Sequence, residues 1–210
     1  MIRIHVSASA VREPDLAPAI RAIADGGVVG FPTETFYGLA ADPRSAEAVR
    51  KVFAIKRRPP DMALPLIAAS LEQVADHVGT LTPLARRLAL RGWPGPLTLI
   101  IPASASLCDA VHLSTGKIAV RVPGHAVSRR LADAAGHALT STSANISGEP
   151  PSSLADVVAE ALGGVLDVLI DAGPTPGGEP STIVDATGRE PVLVRAGAIA
   201  WERVLEFSSE

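Results

Sequence analysis

Gly27-Val28-Val29-Gly30-Phe31-Pro32-Thr33-Glu34-Thr35-Phe36-Tyr37-Gly38 runs an apolar segment straight into a loop of hydroxyls and one carboxylate. Val28 to Phe31 has the length and apolar character of a short buried strand. Leu16, Ile20 and Ile23 precede it at helical spacing, and Gly26 suits the left-handed residue that closes a helix. Ligands of open α/β sheets bind beyond the carboxyl ends of strands, so the position of Pro32 to Gly38 agrees with its chemistry. A polar turn whose hydroxyls satisfy their own backbone is the plainer reading of the same residues.

Outward from this stretch, strand and helix signals alternate. Ile2, Ile4 and Val6 read as a half-exposed first strand. Ser45 is placed to cap a helix with Ala46, Val49, Val52 and Phe53 on one face, ending near Lys56-Arg57-Arg58 ahead of Pro59-Pro60. Leu64 to Ile67 reads as a strand, and Ser70 with Gln73 as a capping box for Leu71 to Val78. Thr82-Pro83 opens another helix. Further strands follow at Leu97–Ile101, Ile118–Val122 and Val165–Ile170, with helices at 126–135 and 154–162. Segments 181–185 and 191–195 flank Thr187-Gly188-Arg189 as a hairpin, and an amphipathic helix spans 201–207. The order predicts an α/β fold with a mixed sheet. No internal repeat or domain boundary is visible, and the Gly- and Pro-rich stretch 171–180 is a mobile lid or a plain connector.

Composition narrows the function. Aromatics are only 3%, so the core is built from Ala, Val, Leu and Ile. A net charge of −3 argues against a surface coated with basic charge for nucleic acid, although a local basic cleft is compatible with it. The single Cys108 excludes an intramolecular disulfide and a Cys-cluster metal site. No apolar run reaches bilayer length and the amino terminus has no signal-peptide core, which predicts a cytoplasmic protein away from membranes.

Four segments carry candidate chemistry. Thr33, Glu34, Thr35 and Tyr37 form the first. Lys56-Arg57-Arg58-Pro59 is either a phosphate clamp or a set of cations complementing a helix dipole. Ser141-Thr142-Ser143-Ala144-Asn145 lets a backbone approach a phosphate or nucleoside closely, but such loops are common. Arg121, alone in an apolar strand, faces solvent or lines a pocket as the partner of a carboxylate. Arg195 poses the same choice, with Ser181-Thr182 on the same side. There is no Walker loop, no Gly-x-Ser-x-Gly elbow, and no metal-ligand spacing among His5, His77, His112, His125 and His137. Hydroxyls and cations without a nucleophile suit a reaction between bound substrates, driven by positioning and charge neutralisation.

In order, Gly27 to Gly38, Lys56-x-Arg58-Pro59, Trp93-Pro94-Gly95-Pro96-Leu97-Thr98, Val120-Arg121-Val122-Pro123, Ser141 to Asn145, Ser181-Thr182-Ile183-Val184-Asp185 and Arg195-x-Gly197 resemble the YrdC domain. The resemblance covers nearly the whole chain. It implies one YrdC-like domain over 1–210, core about 13–200, with a twisted mixed β-sheet, flanking helices and a concave cleft. It implies a nucleotidyltransferase that condenses L-threonine, bicarbonate and ATP to threonylcarbamoyl-AMP and pyrophosphate. The product would serve threonylcarbamoyladenosine formation in tRNA through a downstream transferase complex.

By the same resemblance Lys56, Arg58 and Arg195 hold the triphosphate, with Thr33, Ser143 and Asn145 at the nucleotide. Lys56 and Arg58 carry the catalytic role. Arg121 takes the threonine carboxylate, and Thr35, Ser141 and Ser181 shape its pocket. Magnesium arrives on the ATP phosphates with no dedicated protein metal site, and Glu34 either orients Lys56 or helps the metal. Three positions depart from the pattern: Leu64-Pro65-Leu66 lacks an Asn, Ala68-Ala69 stands where a His is frequent, and Lys117 replaces a small hydroxyl residue. The alternatives are a non-catalytic double-stranded RNA-binding module, or a paralogue making another carbamoyl adenylate. The domain used in hydrogenase maturation is such a paralogue, but its Cys-rich zinc motifs are missing here.

Overall fold

Alternating apolar residues are distributed between two cores, and this arranges the whole molecule. The structure, a computed structural model, describes residues 1–57 and 63–209. In chain order the elements are β1 (Ile2–His5), a 3-10 turn (Glu13–Leu16), α1 (Ala17–Ala24), β2 (Val29–Phe31), β3 (Gly38–Ala40) and α2 (Ala46–Ile55). Then come β4 (Leu66–Ile67), α3 (Leu71–His77), α4 (Pro83–Gly92), β5 (Leu97–Pro102), α5 (Asp109–His112), β6 (Lys117–Arg121) and α6 (Ala126–Ala135). The chain continues with β7 (Leu139–Thr140), β8 (Thr142–Ser143), α7 (Ala155–Leu162), β9 (Val168–Asp171), β10 (Thr182–Asp185), β11 (Val192–Arg195) and α8 (Trp201–Ser208).

The α/β class is as expected, but the strands form two mixed sheets where the sequence pointed to one. One runs β1-β9-β2-β3-β8 and the other β11-β10-β5-β6-β4-β7. Successive strand residues point to opposite faces. Accordingly Leu66 enters one core cluster with Tyr37, Leu39, Leu97, Leu99 and Val120, while Ile67 enters the second with Phe31, Leu139 and Ile170. Each such side chain, fully buried, contributes about 1.5–3 kcal/mol. The sheets join at residues 139–143. β7 pairs with β4 in one sheet, β8 pairs with β3 in the other, and Ser141 lies at the crossing with its amide on the Pro65 carbonyl at 2.8 Å.

Local signals read from the sequence are met in detail. Gly26 has φ +74° after α1. The Ser45 hydroxyl accepts from the Ala48 amide at 3.2 Å, and α2 buries Ala48, Val49, Val52 and Phe53. Ala46, expected on that face, is exposed. Thr82 caps α4, with Pro83 as its first residue. Ser70 caps α3 as expected, but Gln73 departs from a capping box, because its Oε1 accepts from Ala69 and its Nε2 donates to the Ala132 carbonyl. β10 and β11 form the predicted hairpin. The strand predicted over 64–67 is only β4, and the one predicted over 165–170 shifts to β9. Gly30 allows a close approach where β2 meets β9, since a Cβ there would fall 2.7 Å from Leu169 Cδ1 and that side chain would have to shift.

Among the described residues, no helix is long and apolar enough to cross a membrane.

Candidate active site

β2 delivers the Pro32–Gly38 loop, and the loop is braced from three sides. Thr33 is buried; its hydroxyl donates to the Phe36 carbonyl at 2.7 Å and accepts from the Thr35 amide at 3.2 Å. Ser128 on α6 donates to the Pro32 carbonyl at 2.6 Å. The Thr35 carbonyl accepts from the Thr175 hydroxyl at 2.7 Å and from the Gly177 amide at 2.8 Å, so segment 172–180 lies against the motif. Tyr37 is fully buried and donates to the Gly173 carbonyl at 2.7 Å. Burial pushes its phenol up to about 12, so it remains a donor at ordinary pH. The plain-turn reading accounts for Thr33 alone; the loop is also a docking edge for two other segments.

α2 ends so that Lys56 points inward. The side chain is 3% exposed, which removes the reading of a surface cation complementing a helix dipole. Its Nζ donates to the Ser143 carbonyl at 2.6 Å and to the Asn145 carbonyl and Oδ1, both at 3.0 Å. Buried ammonium groups require such partners. β8 pairs with β3 through Gly38 and Ser143, and the Ala144 amide donates to the Tyr37 carbonyl at 2.8 Å. The first and third segments read from the sequence are therefore in contact, with Lys56 stitching the third to α2. Arg58 and Pro59 lie outside the described residues.

Arg121 closes β6 and is also turned inward, with 11% of its side chain exposed. Its Nη1 donates to Glu34 Oε1 at 2.8 Å, and the Gly124 amide donates to the same oxygen at 3.2 Å. Glu34 was expected to orient Lys56 or assist a metal; its hydrogen bonds go to Arg121 and Gly124. The cause is topological, since β6 ends beside the motif loop. Burial pushes the Arg121 guanidinium down and the Glu34 charge opposes that shift.

Arg195, at the end of β11, donates through Nε and Nη2 to the Ser181 carbonyl at 3.2 and 2.7 Å, and through Nη2 to the Ser181 hydroxyl at 3.1 Å. Burial and the repulsion of Arg121 lower its pKa, so the two cations act on the same region. Ser181 Oγ lies 2.8 Å from Thr98 Oγ1 on β5. Gly197 is required here: a Cβ would meet the Pro180 carbonyl oxygen at 2.2 Å. The Ser141 hydroxyl makes no hydrogen bond among the described residues. Lys117, a departure from the motif pattern, pairs with Asp185 at 2.9 Å.

Thr33 and Thr35 thus share a loop with Glu34, which holds Arg121, and with Tyr37, which meets the Ser143–Asn145 segment that holds Lys56. Ser181 and Arg195 hold each other, Ser181 also meeting Thr98, and among the described residues Ser141 enters only through its amide on Pro65. Two open hollows, around Ser9, Gln73 and Arg129 and around Arg21, Lys51 and Asp167, contain none of them. Among the described residues no group of three His, Cys, Asp or Glu is placed to hold a metal ion. Sequence reading missed Asp171, which accepts from Arg3 at 2.7 Å and from the Gly173 amide at 2.9 Å beneath the motif. It also missed Thr175 and Gly177. Their only sequence signal was their place in the Gly- and Pro-rich stretch.

The sequence profile of the Sua5, YciO and YrdC proteins, described as telomere recombination, matches residues 21–197. The chain belongs to this family. It is 38% identical over 188 residues to a threonylcarbamoyl-AMP synthase of Pyrococcus abyssi, covering 90% of this chain and 55% of that protein. It is 40% identical over 170 residues to a threonylcarbamoyl-AMP synthase of Vibrio parahaemolyticus, covering 80% of this chain and 91% of that one. The crystal structure of P. abyssi Sua5 complexed with L-threonine superposes with a TM-score of 0.89 at 35% identity, over 98% of this chain and 60% of that chain. The chain therefore spans about half the length of the Pyrococcus relative, and most of the length of the Vibrio one.

Proposed function

We propose that this chain condenses L-threonine, bicarbonate and ATP to threonylcarbamoyl-AMP and pyrophosphate, in the cytoplasm, for a downstream tRNA-modifying transferase. The observation that carries this reading is that Lys56 is fixed on Ser143 and Asn145 and Arg121 on Glu34 of the Pro32–Gly38 loop, with Arg195 on Ser181, in a chain similar to threonylcarbamoyl-AMP synthases. The reaction needs an N-carboxylate to attack the α-phosphorus of ATP. Both partners are anionic, so fixed cations that offset their repulsion lower the barrier.

Lys56 and Arg195 hold the triphosphate, Lys56 also tying Ser143 and Asn145 into place, and Thr33 lies at the nucleotide. Arg58 adds a planar fork to the same phosphates. Arg121 takes the threonine carboxylate, and Thr35, Ser141 and Ser181 line the rest of that pocket. Magnesium comes with the ATP phosphates, neutralises part of their charge, and keeps mostly water ligands.

The test is to supply ATP, bicarbonate and L-threonine to purified protein and measure pyrophosphate and the adenylate together. Both products must require all three substrates. Pyrophosphate release that ignores threonine and bicarbonate would sink the synthase reading. Lys56→Met should lower turnover about 10²–10³-fold, the scale of losing one preorganised charge-stabilising donor.

A further inference from the structure

The Glu34–Arg121 pair leaves two complementary groups side by side. Arg121 offers five N–H donors in a planar fork, yet its one hydrogen bond among the described residues is to Glu34. Among the described residues Glu34 is occupied on one side only: Oε1 takes both Arg121 and the Gly124 amide, while Oε2 is buried with no hydrogen-bond partner. His125 feels the Glu34 charge, but its own Nδ1 is also buried and unpartnered among the described residues, so the ring has not turned to satisfy the carboxylate. A carboxylate oxygen withheld from water without a donor is costly. With Oε1 held at two points, the vacant oxygen is presented from a fixed side chain.

An unsatisfied acceptor adjoining an unsatisfied bidentate donor complements a small zwitterion, whose ammonium and carboxylate sit on one carbon. We propose that Glu34 and Arg121 together form a head-group receptor for an α-amino acid, Arg121 taking the carboxylate and Glu34 the ammonium. The inference rests on the threonine reading above for the identity of the amino acid, and adds a residue that selects for the amino group. The competing view makes Glu34 a brace that merely fills Arg121 until a substrate carboxylate replaces it. The two views differ in sign. Removing a brace strengthens carboxylate binding, whereas removing an ammonium partner weakens amino-acid binding.

The experiment is calorimetric titration without ATP, on wild type and Glu34→Gln, with L-threonine, a panel of other L-α-amino acids, and the 2,3-dihydroxybutyrate in which hydroxyl replaces the amino group. Wild type should bind threonine at least tenfold more tightly than the dihydroxy acid. Glu34→Gln should lose at least tenfold for threonine and keep or improve its affinity for the dihydroxy acid. Equal threonine binding by both proteins, or tighter binding by the variant, overturns the proposal. If circular dichroism shows Glu34→Gln unfolded, Glu34→Asp, which keeps the charge, must retain the preference for the amine. Should that variant be unfolded too, the wild-type comparison decides, and equal affinity for amine and hydroxyl ligands overturns the proposal. Wild type that binds other α-amino acids but not threonine overturns the threonine reading and leaves the receptor standing.

Discussion

Replacing Tyr37 with Phe removes one oxygen atom from the most braced residue of the motif, and its consequences can be worked out. Tyr37 is fully buried, so the ring keeps its packing in Phe. The hydroxyl loses its 2.7 Å bond to the Gly173 carbonyl and its acceptance from the Ala172 amide at 3.4 Å. Leaving a buried carbonyl unpaired costs about 1–3 kcal/mol, and Gly173 is half-exposed, so water recovers part of this; about 1–2 kcal/mol remains. In a chain of this size that lowers Tm by about 2–8 °C. The functional effect follows from what Gly173 anchors. Segment 172–180 reaches the motif through Thr175 and Gly177, both on the Thr35 carbonyl.

Loosening its start weakens the Thr35 side of the site and leaves Lys56, Ser143 and Asn145 untouched. Tyr37→Phe should therefore raise the KM for threonine several-fold and leave that for ATP unchanged, read from pyrophosphate release beside a thermal melt. Because burial holds the phenol at about 12, the difference from wild type should be constant from about pH 6 to pH 9. A lower Tm with both KM values unchanged, or both raised together, would refute the reasoning and leave Tyr37 a packing residue.

Two further outcomes are expected. Gly197→Ala places a Cβ 2.2 Å from the Pro180 carbonyl oxygen and 2.7 Å from the Ser181 carbonyl carbon. It should displace Ser181 from Arg195 and cut kcat/KM at least about tenfold, as small misplacements at a site do; unchanged kcat/KM would contradict this. Burial alone would raise the Asp171 pKa, but the Gly173 amide and Arg3 outweigh it and hold the carboxyl below its usual value. A depressed carboxyl stabilises the fold above the unfolded pKa, about 4, and the contribution disappears as pH falls through the folded value. Urea unfolding of wild type and Asp171→Asn should thus differ by a constant amount above about pH 5 and converge in acid; a gap that widens on acidification would show the sign to be wrong.

Among the candidate residues, legibility followed the range over which each signal acts. The hydroxyl-rich loop, the isolated Arg121 and the cations at the end of α2 were visible because a residue of unusual chemistry in an apolar setting is a local fact. Their partners were not. Glu34 meets Arg121 across 87 positions, and Tyr37 meets Asp171 and Gly173 across 134 and 136. Nothing in the spacing of these residues marks those pairs. β3 escaped notice as a strand because three residues show too little of a period of two.

By itself the sequence determined where the longer helices lie, where the hairpin turns, and which alternating residues are apolar. Caps, C′ glycines and turn residues act within about four positions, so their energetics are complete in the local chain. Only the tertiary structure decided that the strands divide into two sheets, that Lys56 is buried on Ser143 and Asn145, and that Glu34 belongs to Arg121. Strand pairing and the pairing of buried charges are chosen by desolvation: a polar group removed from water must find a partner, and the partner is whichever group the packed sheets bring within reach.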